Sequence, residues 1–451
     1  MSHANTELFE RTHVPQAIMK LSVPTIIGSL VTVVYSLADT FFVGMLNDPI
    51  QTASVTLAGT VLLAFNAINN LFGVGSSSMM SRALGRRDYD TVKRTSAFGF
   101  YCSLFSGILF SVLCSIFMTP LLTTLGADGS TMEATRQYMF WTVTLGAAPA
   151  ILNVVMGYMV RSEGSSLHAS IGTMSGCILN IILDPVFILP WGLNMGAAGA
   201  GLATFVANCF ACIYFFVLLF IQRGKTFVCV NPKMFGFKKE IVSGVCNVGI
   251  PASIQNLLNV TSMTVLNNFA SSYGADAVAA IGIAQKLNMI PLQVALGFSQ
   301  GCMPLISYTY ACKNYFRMKT AILFAIKLIV PSLLVVSACY YLGADFLVSS
   351  FMDNPVVVGY GSKFLRAYCL GITFLSFDFL TVGIFQAHGN GKAALVFAIL
   401  RKIVLEIPAL IILNKVYPLY GLPYAQVVTE FVLAIAAAIM LRNIFKKCVE
   451  E

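Results

Sequence analysis

About twelve apolar runs, each long enough to cross a lipid bilayer as a helix, follow one another along the 451-residue chain. A spanning helix needs roughly 20 apolar residues, and the loops between these runs are too short for a soluble domain. Only 10% of the residues are charged, against about 25% in soluble domains. We therefore predict an all-α polytopic membrane protein with twelve transmembrane helices, near residues 18–45, 53–80, 95–119, 136–159, 166–189, 197–221, 245–270, 277–306, 320–343, 362–386, 393–414 and 421–442.

Basic residues are concentrated in alternate loops of this chain. They lie in residues 81–94, 222–240 and 312–320 and in the C-terminal tail, whereas the loops at 46–52, 120–135, 190–196, 271–276 and 344–356 contain no Lys or Arg. Because Lys and Arg are enriched in the cytoplasmic loops of membrane proteins, we expect both termini and all the basic loops on the cytoplasmic side of the membrane. The net charge of +9 is then explained by the enrichment of Lys and Arg in cytoplasmic loops beside the lipid bilayer. No nucleic-acid partner is expected.

The chain contains an internal repeat with an offset of about 226 residues. The segment GRRDYDTVK (85–93) matches ACKNYFRMK (311–319), Pro24 matches Pro251, and Gly164 matches Gly389. Six helices is an even number, so both halves start on the same side of the membrane and are parallel repeats. We predict an N-terminal six-helix lobe at residues 1–228 and a C-terminal lobe at 229–451, which open a central cleft alternately to each side by rocking.

Two carboxylates lie deep within the apolar segments of the first half: Asp39 in SLADTFFVG and Asp184 in ILNIILDP. A charge inside the bilayer costs roughly 3 to over 10 kcal/mol, so each is a candidate functional residue. Counted from the predicted outer helix ends at about 1.5 Å per residue, Asp39, Asp184 and Thr204 lie at one depth. Asn180 lies one turn below Asp184 on the same helix face. These oxygen groups predict an H⁺ or Na⁺ site, with a hydrogen-bonded network that only joins helices as the alternative.

The second half carries different polar side chains in its apolar segments. The candidate polar site there comprises Lys286, Asp378, Glu406 and Glu430. Glu406 occupies the position that matches Asn180, and Lys402 lies one turn before it, where an i,i+4 ion pair can form. A structural salt-bridge network that includes Arg401 remains as open as a functional role.

These motifs together resemble the multidrug and toxic compound extrusion (MATE) family, in its MepA-like and DinF-like bacterial branch. The resemblance rests on the two halves of six helices and on LADTFFVG, GVGSSSMMSRALGRRDYD, ILNIILDP and GAAGAGLAT. The family's cation site in the N-terminal half matches Asp39, Asn180, Asp184 and Thr204. The resemblance implies a secondary antiporter, not an enzyme, that exports amphipathic, often cationic, small organic molecules in exchange for H⁺ or Na⁺. It implies no cofactor, and we expect a monomer.

The first predicted helix contains Pro24, which removes one backbone hydrogen bond and makes bending easier. We expect the helix to bend or repack when H⁺ or Na⁺ neutralises Asp39 and Asp184. Such a change would couple ion uptake to the release of cargo.

Three other functions would require sequence features different from these. An ATP-driven pump would need G-x-x-x-x-G-K-[ST], which the sequence lacks. A membrane-embedded transferase would need clustered acids at the cytoplasmic face, where Asp88 and Asp90 are the only near pair. The nearest alternative is a lipid-linked oligosaccharide flippase of the same superfamily, expected to line its cleft with cations. It stays open because of four residues within predicted helices: Lys286, Lys327, Arg401 and Lys402.

Overall fold

The computed structural model describes residues 4–352 and 354–450, and within these residues the chain is helical without strands. Each of the twelve predicted segments coincides with a helix or a run of adjoining helices, so the all-α prediction is confirmed. The first half contains α1 (Ala4–Glu10), α2 (Val14–Gly44), α3 (Pro49–Asn69), α4 (Gly75–Gly85), α5 (Tyr89–Ile116), α6 (Met118–Thr124), α7 (Met132–Met139), α8 (Ala147–Ser162), α9 (Ser166–Ile188) and α10 (Ala197–Ile221).

The second half begins after a single 3₁₀ turn, Pro232–Met234. It contains α11 (Lys239–Ser271), α12 (Ala275–Ala311), α13 (Tyr315–Leu342), α14 (Ala344–Ser349), α15 (Pro355–Ala387), α16 (Gly391–Ile399), α17 (Ile407–Val416) and α18 (Gly421–Glu450). Over the described residues, ten helices are long and apolar enough to cross a membrane, or eleven if the bent pair α7 and α8 forms one span. The remaining predicted span is the run from α16 to α17, which carries three ionisable residues near its middle.

Three π-helical segments interrupt the described helices, and they fall at different places in the two halves. Asn70–Val74 joins α3 to α4, Phe140–Leu145 precedes α8, and Leu400–Glu406 joins α16 to α17. The repeat counterparts of these three runs are α12, α15 and α9, each of which is continuous. A π turn inserts an extra residue into the helix and often marks a functional site. The two halves therefore share a sequence register but differ in helix continuity.

The repeat is visible at the corners that begin α5 and α13. Arg87 and Lys313 both have a φ of 59°, a left-handed conformation that is uncommon for residues other than glycine. The residues that follow them, Asp88 and Asn314, each accept a hydrogen bond of 3.1 Å from the backbone N–H three residues further on. Each is therefore an N-cap. The same local chemistry thus recurs at the predicted offset.

Contacts divide the chain into two compact units. The first comprises the described residues up to Glu10 together with Ile27–Ser253, and the second comprises Arg11–Ile26 together with the chain from Ile254 onward. Helices α2 and α11 therefore each contribute to both units. Within the first unit, the start of α11 packs directly on the π segment 70–74, because a Cβ added at Gly249 would lie 2.0 Å from the Leu71 carbonyl oxygen. The predicted lobe boundary between residues 228 and 229 stays a prediction.

Candidate functional site

Helix α9 presents Asn180 and Asp184 one turn apart, and both side chains are buried, with 1% and 0% of their surface exposed. Residues four apart lie on the same helix face, which explains why the two polar groups share one environment. Pro185 follows within the same helix and cannot donate a backbone hydrogen bond to the Ile181 carbonyl. The polar pair therefore lies next to a position where the helix lacks one backbone hydrogen bond.

Asn180 connects Asp184 to Thr204 of α10. With the amide oriented by its neighbours, its nitrogen donates to both Asp184 oxygens at 3.1 and 2.8 Å. Its oxygen accepts from the Thr204 hydroxyl at 3.1 Å and from the Thr204 backbone N–H at 3.0 Å. The structure thus brings together three of the four side chains predicted for the first-half site.

The fourth predicted side chain, Asp39 of α2, belongs to the same group because its carboxylate interacts with that of Asp184. It is half-buried, and it lies close enough to Asp184 for the two carboxylates to interact electrostatically. Its Oδ1 is buried and accepts no hydrogen bond from any described residue. A buried carboxylate oxygen without a donor is costly, so this position favours a proton or a cation.

Two tyrosines that sequence reasoning missed complete the first-half site. Tyr35 lies one turn before Asp39 on α2 and within reach of the Thr204 side chain. Tyr138 of α7 is 4% exposed and lies near Asp39, Asp184 and Tyr35. The i,i+4 spacing from Asp39 could have revealed Tyr35, whereas nothing in the sequence distinguishes Tyr138 from the other tyrosines of the apolar segments.

The orientation of the Asn180 amide bears on how H⁺ or Na⁺ could be held in this arrangement. Na⁺ prefers oxygen ligands, and two carboxylates, an amide oxygen and a hydroxyl are present. However, the Asn180 nitrogen faces Asp184 while its oxygen is occupied by Thr204, so Na⁺ at this carboxylate would gain the amide oxygen only after the amide rotates. No cluster of three or more His, Cys, Asp or Glu side chains that could hold a metal occurs among the described residues.

The second half contains a buried network of ion pairs around the π segment 400–406. Arg401 donates to Glu430 Oε1 of α18 from Nε at 2.9 Å and from Nη2 at 2.5 Å. Lys402 Nζ contacts Glu406 Oε2 at 2.5 Å, so the predicted i,i+4 pair is present. Ser262 of α11 donates to Glu406 Oε1. Of the three charges in the π segment, Arg401 is therefore paired with α18, whereas Lys402 is paired with Glu406 of the segment itself.

Asp378 of α15 belongs to this network although sequence reasoning linked it only weakly to the second-half site. The side chain is 0% exposed, and so is that of Glu430. The two carboxyl groups lie within hydrogen-bonding reach of each other, yet both Asp378 oxygens and Glu430 Oε2 lack a donor among the described residues. Two ionised carboxylates cannot bond to each other, whereas a single proton between them would satisfy both.

Lys286, which was predicted for the second-half site, lies apart from this network. Lys286 is exposed on α12, and none of the described ion pairs includes it.

Pro24 lies inside α2, as its repeat counterpart Pro251 lies inside α11. The continuous α2 around Pro24 is consistent with a helix that can bend there, and the bending itself stays a prediction.

A further buried carboxylate, Glu163, lies just beyond the membrane-spanning run that ends α8. It is 1% exposed. Its Oε1 accepts from the Thr226 hydroxyl and its Oε2 from the Phe227 backbone N–H, both at 2.8 Å. Burial raises the pKa of Glu163 from 4.5 to about 7, although the hydrogen bonds from the loop oppose the rise. This carboxyl group, which sequence reasoning missed, anchors the loop of residues 222–238 to the end of α8.

A family model described as MatE matches residues 24–186 and 251–412, one stretch in each half of the chain. The chain belongs to this family. The family expected from the sequence motifs is thereby confirmed, and the paired match agrees with the internal repeat.

The relatives of this MatE chain are export proteins. It is 30% identical over 433 residues to the multidrug export protein MepA of Staphylococcus aureus (strain MRSA252), covering 96% of this chain and 94% of that protein. The MepA of Staphylococcus saprophyticus is likewise 30% identical, over 434 residues, with the same coverage. A multidrug resistance MATE family transporter of the MOP superfamily, solved in an outward-facing conformation, superposes with a TM-score of 0.94 at 27% identity over 100% of both chains. Because the matches are transporters, the enzyme alternative is not retained.

In this MatE chain, replacing Glu163 with Gln should remove a pH dependence of stability. The folded-state pKa of about 7 exceeds the ordinary 4.5, so the folded protein binds more protons between these values, and stability falls as pH rises through that window. The loss should be on the order of 3 kcal/mol. Glutamine keeps the neutral form, so Glu163→Gln should unfold at nearly the same temperature at pH 5 and pH 8.

Thermal unfolding of the detergent-purified protein at the two pH values measures this. Glu240→Gln, which removes an exposed carboxylate in the first turn of α11, is the matched control and should keep the wild-type pH dependence. A Glu163→Gln profile parallel to that of the wild type would contradict the assignment.

Proposed function

We propose that this MATE-family chain is a secondary active antiporter of the bacterial cytoplasmic membrane. It exports amphipathic, often cationic, drugs or toxic organic compounds in exchange for inward-moving H⁺ or Na⁺, and it works as a monomer with both termini in the cytoplasm. The observation that carries the proposal is the buried pair Asp39 and Asp184. The side chains described around this pair are Tyr35, Tyr138, Asn180 and Thr204, all of them neutral, so the negative charge has no resident counter-charge.

The coupling step is the charging and discharging of this carboxylate pair. When both are ionised, they attract a cation, because their mutual repulsion is not screened by water in a buried site. Uptake of H⁺ or Na⁺ removes that attraction and favours release of a cationic cargo. The orientation of the Asn180 amide, with its nitrogen toward Asp184, makes H⁺ the preferred ion of the two.

Movement of α2 links this chemistry to alternating access. Asp39 lies on α2 fifteen residues after Pro24, and a proline inside a helix lowers the cost of bending. Neutralising Asp39 removes the electrostatic constraint on its half of the helix. In this scheme α2 repacks on ion binding, and the two lobes then open the cleft to the opposite side of the membrane.

The second-half network is proposed as an auxiliary polar site. It contains three carboxylates (Asp378, Glu406 and Glu430) and two cations (Arg401 and Lys402), so it becomes neutral on binding one proton or monovalent cation. The buried oxygens of Asp378 and Glu430 that lack a donor among the described residues support a position for that proton between the two carboxyl groups. Lys286, which is exposed, is left out of this proposal.

The flippase alternative is not favoured by these contacts. Two of the four cations that kept it open, Arg401 and Lys402, are already paired with Glu430 and Glu406. A cation held by a buried carboxylate is poorly available to a pyrophosphate group.

Transport by the purified protein in sealed vesicles tests the proposal. An inward pH gradient, an inward Na⁺ gradient or neither is imposed, and movement of a fluorescent lipophilic cation is followed. We expect transport against the concentration gradient of the dye with the pH gradient, and little beyond background when neither gradient is imposed. Equal transport with and without an ion gradient would rule out antiport, and transport driven by Na⁺ alone would reverse the preference for H⁺.

A further inference from the structure

A groove of about 650 Å³ lies between α13 and α18, with one side chain contributed by α15. The side chains that line the groove change from basic to apolar along its length. Lys319, Arg442 and Lys446 lie at one end, and Ile326, Phe377 and Ala438 continue the lining with apolar groups. The groove belongs entirely to the second unit and is separate from the buried ion pairs described above.

Helix geometry orders these side chains by depth. Lys319 lies in the first turns of α13, and Ile326 follows seven residues later, about 10 Å along the helix axis. Lys446 lies near the end of α18, and Ala438 precedes it by eight residues, about 12 Å. Both helices therefore place their cations on the side of the basic loops and their apolar side chains further into the membrane.

The three cations have no matching carboxylate in the groove. All three side chains are exposed, and none of the described ion pairs includes them. Lys319 Nζ instead lies 5.7 Å from the centroid of the Phe445 ring, a cation–π contact that fixes its position without neutralising it. Three converging positive charges above an apolar channel are complementary to a molecule with an anionic head and a hydrocarbon chain.

The repeat indicates that this charge is not required by the fold. The positions of the first half that match Lys319, Arg442 and Lys446 are Lys93, Val217 and Ile221. Only the first of these is basic. The matching helices of the first half, α5 and α10, therefore lack two of the three cations.

We propose that the groove between α13 and α18 binds an anionic phospholipid from the leaflet on the side of the basic loops. Lys319, Arg442 and Lys446 hold the phosphate, and the acyl chain lies along Ile326, Phe377 and Ala438. Basic pockets between membrane helices are a known way to hold such headgroups. Bound there, the lipid joins α13 to α18 at the membrane surface.

Native mass spectrometry of the delipidated full-length protein in detergent tests the site, with phosphatidylglycerol, phosphatidylcholine and inorganic phosphate as probes. We expect phosphatidylglycerol to bind about tenfold or more tightly than phosphatidylcholine, since each cation near an anionic lipid contributes appreciably. Millimolar inorganic phosphate should not displace it, because phosphate has no chain to fill the apolar end. Equal binding of the two lipids, or displacement by phosphate, would overturn the proposal.

Variants locate the binding. The triple variant Lys319→Ala, Arg442→Ala, Lys446→Ala should lose the preference for phosphatidylglycerol. A control with the same change in charge, Arg223→Ala, Lys225→Ala, Lys233→Ala, removes three exposed loop cations and should keep it. Loss of the preference in both triple variants alike would assign the effect to net charge and refute the site.

A second pair of variants tests the apolar end without changing any charge. Ala438→Trp fills the groove, whereas Ile439→Trp adds the same ring at the neighbouring position of α18, which is 58% exposed. Ala438→Trp should weaken phosphatidylglycerol binding at least fivefold relative to Ile439→Trp. Equal affinities in these two variants would refute the proposed position of the acyl chain, even if the triple variant failed to fold.

Discussion

Bacteria that produce the Asp184→Asn variant are expected to be as drug-sensitive as bacteria without the transporter. Asparagine keeps the shape of the side chain but can neither carry a charge nor take up a proton at physiological pH. The variant would leave Asp39 as the single carboxylate of the first-half pair, so the pair could no longer be charged and discharged together to drive the release of cargo. Asp39→Asn should have the same effect, because the two carboxylates interact and act as one unit.

Growth in graded drug concentrations and dye efflux from loaded cells measure this result, with the membrane-inserted protein quantified in parallel. Asp48→Asn is the matched control. It alters a half-buried carboxylate that caps α3 outside the first-half site, and asparagine caps helices as well as aspartate does, so export should be unchanged. Wild-type efflux by either Asp39→Asn or Asp184→Asn would refute the coupling scheme.

The Arg401→Met variant is expected to show the largest loss of stability of any single change in the second half. Arg401 is 4% exposed and Glu430 is 0% exposed. Removing the guanidinium leaves Glu430 and Asp378 buried without their cation and removes the contact of Arg401 with the Phe379 ring. Removing one partner from a buried ion pair typically costs about 3–5 kcal/mol.

The midpoint of thermal unfolding in detergent measures this loss. Arg401→Met should unfold at a clearly lower temperature than the wild type. Adding Glu430→Gln should recover much of the difference, because the stranded charge is then removed as well. Arg366→Met is the control, since its ion pair with Asp345 is largely exposed and should matter little. An unchanged midpoint in Arg401→Met would mean that the network does not stabilise the fold.

Much of the first-half site could be predicted from the sequence because its elements are regular helices. The 3.6-residue period places Asn180 and Asp184 on one face of α9, and a common rise per residue brings Thr204 to the same depth. Tyr138 escaped prediction because its helix leads into the π segment 140–145 and a 49° bend. Neither feature has a reliable sequence signature, so the direction of that side chain could not be derived.

The second-half site was predicted less completely for related reasons. Counting residues from helix ends assumes helices of similar tilt that start at a common level. By that count Asp378 should lie nearer the inner end of its helix than Glu430 does, yet the two carboxyl groups lie within hydrogen-bonding reach of each other. Lys286 shares the hydrophobic setting of the others, but its face of α12 is exposed. Local pairs such as Lys402 and Glu406 could be read from spacing, whereas contacts between helices required the fold.

The unequal distribution of π segments gives the two halves different mechanical properties. A helix with an unbroken hydrogen-bond ladder resists bending, whereas a wide turn with displaced carbonyls is a ready hinge. The first half has such turns in two of its spans and the second half in one, and the second-half counterpart of the segment 140–145 is α15, a 33-residue helix without an internal proline. Bending at wide turns should therefore be available in two spans of the first half and in one span of the second, so the helices of the two halves should deform unequally.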